Sequence, residues 1–152
     1  MEYWETFDRL RRIRDEFLSA RFSVKRAIRQ VDADTSLLTE SEEPLKPSQL
    51  RQCGGNLELT YLLRLFTGFE AIIRRYWEVV RPRPTPRRTN VQILMNRIAI
   101  ECQIPFDILQ NAHEVREYRN EIAHRDKPIG QITFDQCKSR LGVFLAYLPR
   151  RW

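Results

Sequence analysis

The sequence predicts an all-α protein, a helical bundle of about five helices with an up-and-down core and a long N-terminal helix. Apolar residues recur at intervals of three and four rather than alternating, which is the pattern of one face of an α-helix. The chain has only five glycines among its 152 residues. Prolines and polar clusters separate the periodic segments, where they end one helix and begin the next. A chain of this length is expected to form one domain, 1–152.

Composition and charge favour a globular protein with an anionic partner. Hydrophobic residues make up 42% of the chain and charged residues 30%, which is a globular balance rather than a disordered one. The formal net charge is +6 and is carried mainly by arginine, whose planar guanidinium group suits bidentate contact with phosphate. This pattern points to nucleic acid as the partner. The alternative is that these charges serve solubility and intramolecular ion pairs.

The cysteines and the N-terminus indicate a reduced, cytoplasmic protein. Cys53, Cys102 and Cys137 lie far apart and lack the short spacing of a zinc site, so neither a metal nor a cofactor is expected. The N-terminal segment is too charged for a signal peptide. No apolar run is long enough to span a bilayer, so no membrane partner is expected.

A long amphipathic helix is predicted from Glu2 to Val31, and an acidic loop follows it over 31–48. Basic residues lie mainly away from the apolar face of this helix. They form either a solvated surface or a surface that binds nucleic acid. The apolar face comprises Tyr3, Phe7, Leu10, Ile13, Phe17, Ala20, Val24, Ile28 and Val31.

The second helix is predicted to be the central one, because its apolar face is wide enough to be contacted from more than one side. It begins at Ser48, or after Gly54–Gly55, and ends at Val80. Glu70 lies on the flank of that apolar face. A lone buried charge costs on the order of several kcal/mol, so Glu70 should pair either with Arg74 one turn on or with a distant arginine such as Arg119.

A proline- and arginine-rich loop, 81–90, ends the second helix. It concentrates four cations without an acid, which favours contact with phosphate independent of base sequence. A solvated turn is the alternative interpretation. The four cations are Arg81, Arg83, Arg87 and Arg88.

Three further helices are predicted from caps and breakers. The third begins at Thr89 or Asn90, either of which can cap it, and stops before Pro105. The fourth carries Phe106 to about His124. The fifth begins with a capping box in which Thr133 is followed three residues later by Gln136, and Pro149 closes it.

The candidate catalytic side chains are concentrated in Glu114–Arg125, EVREYRNEIAHR. This segment places Arg119, Asn120 and His124 within six positions. In an unbroken helix Arg119 falls in the apolar stripe, about 140° from His124. Joint action of the two therefore requires the helix to end near His124, the arginine to reach around it, or a second subunit to complete the site. Alternatively, Arg119 is a paired helix arginine and His124 complements the helix dipole. The apolar stripe contains Ile108, Ala112, Val115 and Ile122.

The string YRNEIAH, beginning at Tyr118, resembles the signature of the HEPN superfamily (higher eukaryotes and prokaryotes nucleotide-binding). The apolar run from Leu59 to Glu78, with Glu70 embedded in it, is similar to the central helix of such domains. The resemblance covers roughly Leu57 to Leu148. It implies a homodimeric, metal-independent endoribonuclease of toxin or phage-defence type that leaves 2',3'-cyclic phosphate ends on RNA.

The resemblance also implies roles for individual residues. Arg119 would stabilise charge on the phosphate in the transition state. His124 would move the proton of the ribose 2'-hydroxyl or of the leaving oxygen. Asn120 would orient the histidine or a phosphate oxygen, and Glu70 would hold Arg119 or polarise the site. Arg116, together with the arginines of the proline-rich loop, is expected to bind the substrate.

One position departs from the toxin pattern, and two other classes of function compete with cleavage. Toxins paired with a nucleotidyltransferase antitoxin usually carry a tyrosine where this chain has Asp126. This argues against that particular antitoxin, although another antitoxin protein could be a partner. The main alternative function is a non-catalytic helical module that binds RNA or protein. A DNA-binding regulator is less favoured, because no short helix-turn-helix is recognisable.

Overall fold

The computed structural model describes residues 3–38, 45–81, 89–124 and 132–152, and within these ranges the chain is all-helical. The prediction of an all-α bundle is therefore confirmed. None of the helices in these ranges is long and apolar enough to cross a membrane. The helices are α1 (Tyr3–Ala33), α2 (Pro47–Val80), α3 (Val91–Glu101), α4 (Phe106–His124) and α5 (Phe134–Ala146), with a short 3-10 helix, Thr35–Leu38, after α1.

The two long helices, α1 and α2, pack against each other in antiparallel orientation. Gly68 of α2 faces Ile13 in the first half of α1, whereas Gly54 faces Ile28 near the end of α1. The absence of side chains at these two glycines lets the helix backbones approach closely. This hairpin forms one side of the bundle.

The core is built around α2, which packs against all four of the other helices. The central position predicted for the second helix is therefore confirmed. Aromatic rings connect α1 and α2 with α5: the Phe17 and Phe134 ring centroids lie 4.5 Å apart, and those of Phe69 and Phe144 lie 5.5 Å apart. Buried side chains of α2 include Leu62, Leu65, Phe66, Phe69, Ile72, Ile73 and Tyr76.

Two predicted caps are present. Asn90 caps α3, because its side-chain oxygen accepts a hydrogen bond from the Gln92 backbone N–H at 2.8 Å. Thr133 and Gln136 form the capping box of α5, with reciprocal hydrogen bonds of 3.2 Å and 3.0 Å. These local interactions satisfy backbone donors that a helix N-terminus leaves without intrahelical partners.

The predicted loop at 31–48 is shorter than expected at both ends. Helix α1 continues to Ala33 and α2 already begins at Pro47, a residue that fits the first turn of a helix. Gly54 and Gly55 consequently lie inside α2 rather than before it. Packing against α1 outweighs the low intrinsic helix propensity of the two glycines.

Candidate functional site

A solvent-open cavity of about 550 Å³ lies between α2, the N-terminus of α3 and α4. We call it the arginine pocket. It brings together four of the predicted site residues, Glu70, Arg116, Arg119 and Asn120. The remaining lining residues are Phe66, Arg74, Thr89, Asn90 and Val91.

Glu70 pairs with Arg74 within α2. The Nε and Nη2 atoms of Arg74 lie 2.8 Å and 2.7 Å from Glu70 Oε1. Arg74 Nη1 also donates to the backbone carbonyl of Thr89 at 3.1 Å, which ties α2 to the segment that leads into α3. Of the two partners considered for Glu70, the structure shows the local one. Arg74 was not predicted to belong to the site, although its spacing of four residues from Glu70 was the signal.

Arg119 reaches from the apolar stripe of α4 towards Asn120. Its Nη1 atom donates to Asn120 Oδ1 at 3.0 Å, and its Cζ atom lies 5.7 Å from the centroid of the Phe66 ring. No carboxylate of the described residues lies within ion-pairing distance of Arg119. An amide and an aromatic face therefore hold this guanidinium group without neutralising its charge.

Arg116 adds a second mostly buried cation on the same helix. Its side chain is only 16% exposed, and its Nη2 atom lies 3.3 Å from Glu117 Oε1. The Nε atoms of both Arg116 and Arg119 are buried without a hydrogen-bonding partner. Such unused donors are costly in a protein interior, and anionic oxygens are their strongest acceptors.

The electrostatics of the arginine pocket favour an anion. Its lining contains three guanidinium groups, those of Arg74, Arg116 and Arg119, and one carboxylate, that of Glu70. Asn90 and Val91 add the N-terminus of α3, where backbone N–H groups and the helix dipole favour negative charge. A phosphate group matches the charge of this lining, and guanidinium groups suit bidentate contact with phosphate oxygens.

His124 is the last residue of α4, is exposed and does not line the arginine pocket. Asn120 lies one helical turn before it, a spacing at which Cβ atoms are about 5–6 Å apart. Asn120 also accepts the hydrogen bond from Arg119 Nη1, so it is the pocket residue nearest in sequence to His124. Helix α4 is described as far as His124, and Asp126 lies outside the described residues.

Arg81, the predicted loop arginine that lies within the described residues, does not line the arginine pocket. Arg81 is exposed, contacts Glu101 at 3.4 Å and lies 5.9 Å from the Trp77 ring centroid. The predicted phosphate-binding residues Arg83, Arg87 and Arg88 lie outside the described residues.

A second cavity, of about 650 Å³, lies between α3 and α4 and was not predicted. His113 lies in its wall, only 8% exposed, and its Nε2 atom is 2.7 Å from Asn96 Oδ1. Burial lowers the pKa of His113, and the positive charge of Arg116 lowers it further, against a smaller effect of Glu117. The imidazole is therefore neutral near pH 7 and donates to Asn96 through Nε2. The sequence signal for this cavity was polar residues at helical spacing on two successive helices.

Fold and site together define an all-helical protein with an arginine-lined pocket. No protein-family model, no curated protein and no solved structure matches this chain. The similarity of its Arg119–His124 segment to the HEPN signature stays a prediction.

Proposed function

We propose that this protein is a metal-independent endoribonuclease of toxin or phage-defence type, acting as a cytoplasmic homodimer of HEPN-like subunits. One observation carries the proposal. Three guanidinium groups and the Asn120 amide line one cavity at the N-terminus of α3. Asn120 lies one helical turn before His124 on α4. This arrangement combines a phosphate site with a group able to transfer protons.

The arginine pocket would bind the phosphate of the bond to be cleaved. Arg74 is held by Glu70 and the Thr89 carbonyl, and Arg119 by Asn120 and the Phe66 ring. Cations fixed in this way need little reorganisation when negative charge develops on the phosphate oxygens. Arg119 is therefore the residue assigned to stabilise the transition state.

The chemistry requires proton transfer on both sides of the phosphorus. The ribose 2'-oxygen attacks the phosphorus as its proton passes to a base. The bond from phosphorus to the 5'-oxygen breaks as that oxygen takes a proton from an acid. The products are a 2',3'-cyclic phosphate and a 5'-hydroxyl. Imidazole side chains generally suit both roles, because they exchange protons near neutral pH.

A second subunit would supply the second imidazole. The sequence contains two histidines. His113 is buried and hydrogen-bonded to Asn96, whereas His124 is exposed and therefore accessible to a substrate. A two-fold homodimer in which the ends of the two α4 helices meet places both His124 side chains in one cleft. One then acts as the base and the other as the acid.

The test is cleavage of a structured RNA by purified protein in the presence of a chelator. We expect His124→Ala to reduce the cleavage rate by about 10²-fold or more, since general acid–base catalysis typically contributes that much. Arg119→Ala should reduce it by about 10²–10³-fold through loss of electrostatic stabilisation. The cleaved RNA should carry 2',3'-cyclic phosphate ends.

Arg75→Ala is the matched control, because Arg75 lies on α2 and is 56% exposed outside the arginine pocket. Its cleavage rate should equal that of the wild type. Full activity of His124→Ala, or a folded wild-type protein that cuts no RNA, would contradict the proposal.

The exposed position of His124, outside the arginine pocket, favours one second candidate, a non-catalytic module that binds RNA. In that case wild-type protein binds RNA with steep salt dependence and leaves it intact. Arg119→Ala then weakens binding, whereas His124→Ala has no effect on it.

A further inference from the structure

The cavity between α3 and α4, which we call the amide groove, presents two polar stripes to each other. Gln92 and Asn96 lie one turn apart on α3. Gln110, His113 and Glu117 follow at intervals of three and four on α4. Residues at these spacings share a helix face. The groove therefore has amide groups on both walls, two on α3 and one on α4, and the rest of its lining is largely apolar.

The amide groove adjoins the arginine pocket. Val91 lines the pocket and the next residue, Gln92, lines the groove. On the facing helix Arg116 lines the pocket and Glu117 lines the groove. A polymer whose phosphate occupies the arginine pocket can thus continue along the groove between the same two helices.

The lining of the groove differs in kind from that of the arginine pocket. It contains no lysine or arginine among the described residues, and Glu117 gives it a negative charge. Amide side chains carry both donors and acceptors, as the edges of nucleobases do. Asn96 uses its oxygen to accept from His113 Nε2, so the group it presents is its NH₂ donor. These features suit an uncharged base better than a phosphate.

Phe106 lies at the end of the groove remote from the arginine pocket. This residue, the first of α4, is 74% exposed. Such an exposed aromatic face provides a stacking platform for an unpaired base. Phe106 and Arg116 are ten positions apart on α4, about 15 Å along the helix axis, so the platform is within reach of a short oligonucleotide.

We propose that the amide groove binds unpaired bases of the RNA whose phosphate occupies the arginine pocket. This inference rests on the proposed function and names its substrate class, a single-stranded segment of RNA. Phe106 stacks on one base, and Asn96 and Gln110 hydrogen-bond to base edges. The groove thereby selects the segment that is bound, whereas the arginine pocket holds its backbone.

The experiment measures binding of short single-stranded RNA by fluorescence anisotropy, in a His124→Ala background in which cleavage is expected to be slowed by about 10²-fold or more. Phe106→Ala should weaken binding roughly 5- to 150-fold, the range for loss of one stacked base. Phe22→Ala is the matched control, since Phe22 is 68% exposed on α1, and it should leave the affinity unchanged. Gln110→Ala should reduce the differences in affinity among oligo(A), oligo(C) and oligo(U).

The outcomes separate this inference from the function on which it rests. If Arg119→Ala weakens binding while Phe106→Ala and Gln110→Ala do not, the groove is not a base site and the arginine pocket stands. If the His124→Ala protein binds no RNA, both proposals fail. If Phe106→Ala instead dissociates a dimer in sedimentation experiments, with RNA affinity per subunit unchanged, the groove is a subunit interface and the inference is overturned.

Discussion

Arg119 occupies a position of α4 that the helical period assigns to the buried face, and its surroundings explain how a charge is tolerated there. The side chain passes over the Phe66 ring and ends at the Asn120 amide rather than at a carboxylate. An ion pair would neutralise the guanidinium group, whereas these two neutral partners orient it and leave its charge available. Arg119 is therefore better placed to bind an anion than to stabilise the fold.

The Glu70–Arg74 pair also belongs to the site more than to the stability of the fold. The two side chains are 25% and 33% exposed, and ion pairs with access to water typically contribute within about 1 kcal/mol. Arg74 nevertheless connects α2 to the Thr89 carbonyl next to the α3 cap. Its main consequence is to fix one wall of the arginine pocket.

His113 leads to a prediction about pH. Burial and the charge of Arg116 lower its pKa below the ordinary value of 6.5. The unfolded chain then binds a proton more readily than the folded one. The free energy of unfolding should therefore be fully retained above pH 6.5 and should decrease as the pH falls below that value. An NMR titration of the imidazole should give a midpoint below 6.5, and denaturant unfolding should show the loss.

His113→Gln provides the control for this prediction, because glutamine retains an N–H donor for Asn96 but has no proton to gain. The variant should show a smaller loss of stability on acidification than the wild type. A His113 midpoint at or above 6.5 would contradict the assignment of a neutral, buried imidazole.

At the scale of elements, the contact between α1 and α2 depends on a small residue at one place. A methyl group on Gly68 would lie 3.0 Å from Ile13 Cδ1, whereas one on Gly55 would meet no atom within 4 Å. Both glycines lie inside α2. The difference between the stability effects of substitutions at these two glycines therefore measures helix packing separately from helix propensity.

We predict that Gly68→Leu lowers the free energy of unfolding by about 1–3 kcal/mol, because overpacking forces α1 away from α2. Gly55→Leu, at an exposed position of the same helix, should instead be neutral or add up to about 1 kcal/mol through better helix propensity. Urea denaturation of both variants measures the difference. Equal effects at the two sites would show that the helices do not approach closely at Gly68.

Helices α3 and α4 border both cavities, and α2 completes the arginine pocket. The Asn90 cap and the Arg74 contact with Thr89 fix the N-terminus of α3 beside Arg116 and Asn120. The helix dipole of α3 therefore points its positive end into the arginine pocket. Short helices rarely hold a position through propensity alone, and here tertiary contacts do so.

At the scale of the whole molecule, the proposed dimer predicts how subunits should interfere with one another. If both copies of His124 act in one cleft, a mixed dimer of wild-type and His124→Ala chains is inactive. After subunit exchange at equal amounts, cleavage should fall to about one quarter of the wild-type value, the share of dimers with two wild-type chains. Mixing experiments with labelled RNA measure this directly.

Independent sites within each chain would instead leave about one half of the activity, in proportion to the wild-type chains present. Arg75→Ala chains serve as the control partner and should leave activity at the wild-type level. A result near one half would reject the composite site without rejecting RNA cleavage.

Local patterns in the sequence were sufficient for the helices and for part of the site. The bounds of α4, the Asn90 and Thr133 caps and the central position of α2 follow from interactions within a turn or from the width of an apolar face. The helical period of the apolar residues also predicted that Arg119 lies in an apolar stripe. The sequence left two possible starts for α2, because the low helix propensity of Gly54 and Gly55 competes with packing against α1.

Only the tertiary structure decided which side chains meet. In the folded chain Glu70 pairs with Arg74 rather than with Arg119, and Arg119 donates to Asn120. Helices α3 and α4 together form the amide groove. These outcomes depend on the orientation of helices that are distant in the sequence and on the reach of long side chains. Sequence periodicity specifies the face on which a residue lies, whereas packing determines what lies opposite that face.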